Sequence, residues 1–333
     1  MGLPMSELEA GKPALVTERF RFSTRVTSLM VLPPYKGGVF HGSFGSTFRS
    51  LVCGLRNQDC TTCILRGNCL YLSIFSPTPP SDFPDSAKFN YAPAPYILNS
   101  PLTRKQGFRP GEILEFELVL IGRAVDALPY FVYTFMEMGK RGIGRERGRY
   151  DLLDVGLIRN GEQTQIYDGH TQTLTSFPPG HTTFSTPEHE TCNRVTLEFL
   201  TPLRLKVKGD LVTRLTFPVF FERLAERLSL LTALYGNNGT QPDLTSLMAL
   251  AQEIKVDEDK LRWYDWERYS ARQKSPMKLG GLRRTITFTG DLSPFVPYLR
   301  LGEQVNVGQG TSFGLGRMRL DSHKYTKNTE CGG

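Results

Sequence analysis

Histidine is scarce in this chain, with five residues in 333, and there are only two tryptophans. Chemistry that needs an imidazole to move protons near neutral pH therefore has few candidates. Long apolar runs are also missing. No stretch reaches the roughly 18 residues of a membrane-spanning helix, and the richest, Ala127–Met138, is short and aromatic. Met1–Ala10 is polar and lacks the apolar segment of a secretory signal. A cytoplasmic protein with no membrane attachment is expected, so its six cysteines are not read as a disulfide framework. With 39% hydrophobic and 22% charged residues the chain is neither fibrous nor disordered. Its length suits two ordinary domains.

Positive charge is present in excess. The net charge is +7 and the pI about 9.1. Between Lys260 and Glu330, 13 basic residues face six acidic ones, so this stretch alone carries a charge equal to that of the whole chain. Local concentration of this kind marks a surface for a polyanion, nucleic acid first.

Hydrophobic periodicity divides the chain into two halves of similar plan. In the first, the alternating segment Phe20–Val31 predicts a strand, Val39–Leu55 a helix, and Ile113–Ile121 and Leu152–Ile158 further strands. In the second, Val195–Val207 predicts a strand, Phe217–Tyr235 and Leu244–Ile254 helices, and Leu282–Gly290 and Met318–Leu320 strands. Pro77–Ala94 is rich in Pro, Ser and Asp and is expected to be a loop. The predicted class is α+β, with tandem ferredoxin-like (RAMP/RRM-like) domains and a small four-cysteine metal-binding insertion. The expected boundaries are an N-terminal domain over 14–160, a linker over 161–190, a C-terminal domain over 191–322 and a tail over 323–333.

Three constellations point to RNA. The first runs from Gly302 to Arg317 and contains Gly308, Gly310, Gly314 and Gly316, placed between two predicted strands. Glycine permits positive φ and close backbone approach, so the amides can line a phosphate with Arg317 beside it. The spacing is neither a P-loop nor a dinucleotide fingerprint. The second, Gly139–Tyr150, sets Arg141, Arg145, Arg147 and Arg149 among glycines, which suits a groove that tracks a nucleic-acid backbone. The third, Trp263–Lys274, interleaves aromatics with Arg268, Arg272 and Lys274, and the basic pair Arg283–Arg284 follows. Unpaired bases stack on such rings and guanidinium planes.

A fourth pattern is metallic. Cys53, Cys60, Cys63 and Cys69 lie within 17 residues, and four soft thiolates suit a tetrahedral structural zinc ion, with an iron–sulfur cluster as runner-up. Four thiolates would close the site, so its expected role is to pin the segment over 53–69 and not to catalyse.

Taken in order, Arg268-Tyr-Ser-x-Arg-Gln, Met277-x-Leu-Gly-Gly-Leu, Gly290-x-Leu, Leu301-Gly and Val307-Gly-x-Gly-Thr-Ser-Phe-Gly-Leu-Gly resemble the C-terminal domain of the CRISPR-associated RAMP endoribonucleases, the sixth Cas family. Phe199-x-Thr-Pro-Leu-Arg204 resembles the strand that opens that domain, and the likeness covers roughly the last 130 residues. Tyr35-Lys-Gly-Gly in the first half matches more loosely. The resemblance implies cleavage of precursor CRISPR RNA within its repeats, without a catalytic metal. The products would carry 2′,3′-cyclic phosphate and 5′-hydroxyl ends. It also implies a working histidine near the first helix. Of the five histidines only His41 lies there, with Tyr35 and Lys36 as helpers. Arg49, two turns on, is a further candidate for phosphate contact. Two departures weaken the expected phosphate grip: Gln309 stands where such loops often carry a base, and Asn306 where a histidine is common. The expected partner is CRISPR repeat RNA, with other effector-complex subunits as possible company. The alternatives are a non-catalytic RAMP subunit that holds guide RNA and an unrelated zinc-stabilised RNA-binding module.

Overall fold

In the computed structural model the described residues are 14–56, 58–79, 92–178, 180, 182–183, 192–236, 244–265, 267–270 and 275–321. The N-terminal unit opens with β1 (Thr17–Val26), whose alternating burial puts Phe20 and Phe22 into the core. Helix α1 (Gly37–Val52) and the short α2 (Leu70–Phe75) follow. Next come β2 (Tyr96–Asn99), β3 (Ile113–Ile121), α3 (Leu128–Arg141) and β4 (Tyr150–Arg159). Strands β5 (Glu162–Asp168) and β6 (Thr173–Leu174) extend the edge. The sheet order β2-β3-β1-β4-β5-β6 is antiparallel throughout. Its first four strands, with α1 and α3 as the two crossovers, have the ferredoxin-like β-α-β-β-α-β plan.

The C-terminal unit repeats it. Its elements are β7 (Arg194–Leu203), α4 (Phe217–Tyr235), α5 (Thr245–Ala251), β8 (Lys255–Asp259) and β9 (Arg262–Tyr264). The hairpin of β10 (Glu267–Ser270) and β11 (Ser275–Lys278) leads to β12 (Gly281–Thr289), α6 (Val296–Val305) and β13 (Met318–Leu320). The sheet order is β8-β12-β7-β13, with β9 also on β12.

Aromatic packing fills both cores. Phe22 stacks on Phe116 with centroids 5.0 Å apart, and Phe44 sits 5.3 Å from Phe131. In the second unit Phe217 meets Phe295 edge-on at 4.9 Å. Removing one such ring costs about 3–5 kcal/mol. Strand β2 serves both cores. Tyr96 and Leu98 face the N-terminal core, whereas Ile97, with Val119 and Ile121 of β3, packs into the C-terminal one.

Several sequence expectations need correction. The stretch Ala127–Met138, to which the sequence pattern assigned no element, supplies most of α3, with Leu128, Phe131, Phe135 and Met138 buried. The expected linker over 161–190 starts later in space, because β5 and β6 belong to the first sheet. The glycine-rich loop is not flanked by two strands: α6 precedes it and β13 follows. Helix α6 carries Pro297 in its first turn, which the fixed φ of proline allows, and Gly302, where a Cβ would lie 2.7 Å from the Met318 methyl.

Gly316 marks how tight the loop is. At φ 66° its added Cβ would stand only 1.7 Å from the Val307 carbonyl oxygen. Gly161 has a similar φ of 83° but open space around it. Gly316→Ala is expected to cost roughly 2–4 kcal/mol in denaturant unfolding, whereas Gly161→Ala should cost about 1 kcal/mol, the price of the left-handed backbone alone. Equal costs would mean that the loop is not closely packed.

Candidate active site

The segment Pro34-Tyr35-Lys36-Gly37 turns the chain from the first strand into α1, and the glycine-rich loop of the second unit lies against this turn. The Tyr35 hydroxyl donates to the Phe313 carbonyl at 2.8 Å. A Cβ on Gly37 would sit 2.4 Å from that same oxygen, so glycine is what lets the loop approach. Burial pushes the Tyr35 phenol well above its ordinary pKa, which suits a hydrogen-bond donor and not a base.

One turn into α1, His41 is 9% exposed. Its ring stacks on Phe313, with centroids 3.7 Å apart and planes at 21°. Phe75 lies at 4.9 Å and Tyr96 at 6.2 Å. Stacking occupies ring faces, and the proton-carrying nitrogens lie in the ring plane. An imidazole held this way can pass a proton while its orientation stays fixed.

The loop itself is anchored by Thr201, whose hydroxyl donates to the Gly314 carbonyl at 2.7 Å and accepts from the Arg317 amide at 2.9 Å. Gly308, Gly310, Gly314 and Gly316 all adopt positive φ. The Gly314 amide donates to Thr311 and that of Gly316 to Pro202. These two amides therefore hold the loop, where the sequence suggested an open phosphate cradle. Arg317 is likewise engaged: its guanidinium pairs with Glu117 of β3 at 2.7 Å, and both side chains are mostly buried. Asn306 donates to Asn99 at 3.1 Å, and Arg19 donates to the Glu303 carbonyl at 3.0 Å. The loop region thus works as a clasp between the two units.

Lys36 does not join His41. Its buried amine donates to the Thr103 carbonyl at 2.5 Å, with the Pro34 carbonyl at 3.4 Å. Burial pushes its pKa down to about 8.

The predicted RNA contacts spread over two surfaces. Arg145, Arg147 and Arg149 are exposed on the turn after α3, which is closed by a bridge between Ile143 and Gly148. Arg141 donates to the Ser50 hydroxyl at the far end of α1. In the second unit Arg284 is exposed at φ 91°, while Arg283 lies over the Tyr264 ring and donates to the Leu200 carbonyl at 3.1 Å. Arg268 lies on β10. Arg272 and Lys274 fall outside the described residues.

Cys53 ends α1 and Cys69 precedes α2, and all four cysteines of this segment are half-buried free thiols. Their donor types suit zinc. Among the described residues, however, no three metal-ligating side chains are gathered closely enough to share an ion. The sequence singled out His41 but assigned nothing to Phe313, Phe75 or Tyr96. Their one visible signal was a lone aromatic inside a glycine-rich loop.

The fold has counterparts among known proteins. Residues 15–179 match a family model described as an N-terminal domain, and residues 197–318 match that of the CRISPR-associated endoribonuclease Cas6. An uncharacterized protein of Archaeoglobus fulgidus is 25% identical over 304 residues, covering 87% of this chain and 93% of its own. A Cas6 product complex superposes with a TM-score of 0.55 at 15% identity, covering 92% of this chain and 99% of that one. Thermus thermophilus Cas6 gives 0.51 at 13% identity, covering 92% and 98%. The resemblance carried by the C-terminal motifs therefore stands, and the fold is shared along nearly the whole chain.

Lys36 sets a pH dependence. Its folded value, about 8, lies below its ordinary 10.5, so the native state loses this proton first. Below pH 8 the buried charge is a cost to stability, which is relieved as pH rises toward 10.5. Between pH 7 and 9.5, unfolding free energies should shift in favour of the wild type relative to Lys36→Met. A constant difference would show that the amine is solvated.

Proposed function

We propose that this chain, whose C-terminal half matches the Cas6 family, is an endoribonuclease that processes precursor CRISPR RNA. The observation that carries the reading is the His41–Phe313 stack. It seats the one histidine on α1 against the loop through which the family match runs.

The reaction is an internal transesterification. The 2′-oxygen attacks the neighbouring phosphorus, forming a new P–O bond as the bond to the 5′-oxygen breaks. The 2′-proton must leave and the departing oxygen must gain one. The products are a 2′,3′-cyclic phosphate and a 5′-hydroxyl. His41 performs one of these proton transfers, a step worth about 10²–10⁴ in rate. Tyr35 acts one step away, holding the Phe313 carbonyl and through it the loop on which His41 rests. Lys36 fixes the turn into α1. The exposed Arg145, Arg147, Arg149 and Arg284 supply the charge that follows the RNA backbone. Among the described residues no helix is long and apolar enough to cross a membrane.

The test is cleavage of end-labelled cognate repeat RNA in EDTA. Wild type should cut once per repeat, and His41→Ala should bind equally well yet cut about 10²–10⁴ times more slowly. Equal cutting by both would make His41 structural. Tight binding with no cutting by wild type would identify a guide-holding subunit instead.

The four-cysteine segment has a separate role in this reading. Cys53, Cys60, Cys63 and Cys69 close around one zinc ion that braces the chain between α1 and α2, a role supported by the donor set alone. Elemental analysis of purified protein should find about one zinc per chain, lost in Cys63→Ser. Finding neither zinc nor iron would overturn this assignment and leave the cleavage reading untouched.

A further inference from the structure

A groove of about 1670 Å³ runs along α1 beside His41, and the chemistry proposed above leaves it unused. One wall is the face of α1 that carries Gly42, Gly45, Ser46 and Arg49. The opposite wall is α2, which presents Tyr71 and Phe75, and the segment before it, which presents Arg66. Small residues make the α1 wall smooth. A Cβ at Gly42 would meet nothing within 4 Å, so the groove is open there, right beside His41. At Gly45 a Cβ would stand 2.4 Å from the Phe75 ring, so the missing side chain is what lets that ring lie against the helix.

Tyr71, Phe75 and Arg49 line the groove as a ladder of flat groups, and His41, outside the lining, lies behind Phe75. His41 lies 4.9 Å from Phe75, Phe75 stacks on Tyr71 at 5.3 Å with planes at 14°, and the Arg49 guanidinium sits 5.7 Å from the centre of the Tyr71 ring. Among the described residues Arg49 forms no close ion pair, although the Asp59 carboxylate, held below its usual pKa first by the Thr61 amide, also feels the Arg49 charge. Charge along the groove favours an anion. Arg49 and Arg66 face one lining acid, Asp59, whose carboxylate already accepts the amide and the hydroxyl of Thr61 at 2.7 Å each. Stacked rings and two guanidinium groups in one open trough, Arg49 over the Tyr71 ring and Arg66 with one N–H on the Thr61 carbonyl at 3.3 Å, suit a polymer that alternates flat bases with phosphates. An apolar peptide would leave the two cations unmatched.

We propose that this groove binds the unpaired RNA strand next to the scissile phosphate, with bases on the Tyr71–Phe75 ladder and phosphates at Arg49 and Arg66. The proposal rests on the cleavage reading, because it is the proximity of His41 that tells which part of the RNA enters. Tyr71 and Arg49 are then positioning residues. They seat the strand and do not touch the reacting atoms.

The experiment uses full-length protein and its cognate repeat RNA. One form carries a 2′-deoxy nucleotide at the cut so that binding is read without cleavage. A second set carries single abasic sites stepped along the strand flanking the cut. Tyr71→Ala and Arg49→Ala should each weaken binding about tenfold, while Tyr71→Phe should bind as wild type. At one or two flanking positions an abasic site should weaken wild-type binding by a similar factor. Tyr71→Ala should then add no further loss there. Thermal melting of each variant separates lost contact from lost folding, and Tyr71→Phe keeps the test valid if the alanine variant unfolds. Wild-type cleavage together with unchanged affinity in Tyr71→Ala and Arg49→Ala would overturn this proposal alone. So would losses that add independently at every abasic position. Absence of wild-type cleavage would instead remove the reading on which it rests.

Discussion

The stack of Phe313 on His41 is the contact on which the rest of the arrangement depends. One ring belongs to the first helix of the N-terminal unit and the other to a loop 272 residues later. Their 3.7 Å separation leaves no slack in how the units are joined. A neutral ring pair supplies about 1 kcal/mol, too little to hold two domains in place. The geometry is enforced by the groups around it: the Tyr35 hydroxyl, the Arg317–Glu117 pair, the Asn306–Asn99 contact and the glycines that allow backbone to touch backbone. The glycine-rich loop therefore packs against a side chain of the other unit, with its Gly314 and Gly316 amides engaged within its own unit.

That division of labour also explains where the positive charge went. Arg317 is part of the clasp, and Arg283 is tied to the Leu200 carbonyl and the Tyr264 ring. Of the arginines that the sequence marks for RNA, Arg145, Arg147, Arg149 and Arg284 stay exposed, and Arg49 and Arg66 line the groove along α1. Net charge alone could not separate these populations, because pairing is a property of three-dimensional neighbours.

Much of the architecture was legible in the sequence. Ile113–Ile121, Phe217–Tyr235 and Met318–Leu320 have the bounds that periodicity predicts, since apolar residues recur at the period of each regular element. The elements that escaped had physical reasons to do so. Helix α6 hides behind Pro297 and Gly302, which usually punctuate and here serve a helix start and a close packing contact. Strand β2 shows no alternation because both of its faces are buried. At the site, the family resemblance together with the scarcity of histidine points to His41. Its partners could not be read this way: Phe75 and Phe313 come from segments whose only connection is the fold.

The double burial of β2 has a consequence for inheritance. Although each half has a complete ferredoxin-like plan, Ile97 belongs to the core of the opposite half while Tyr96 and Leu98 belong to its own. Cutting the chain at the junction would bare an apolar row on a short edge strand, the kind of surface that recruits other strands. The halves therefore resemble two copies of one module that can no longer be traded separately. Any recombination that preserves the His41–Phe313 contact has to carry both together.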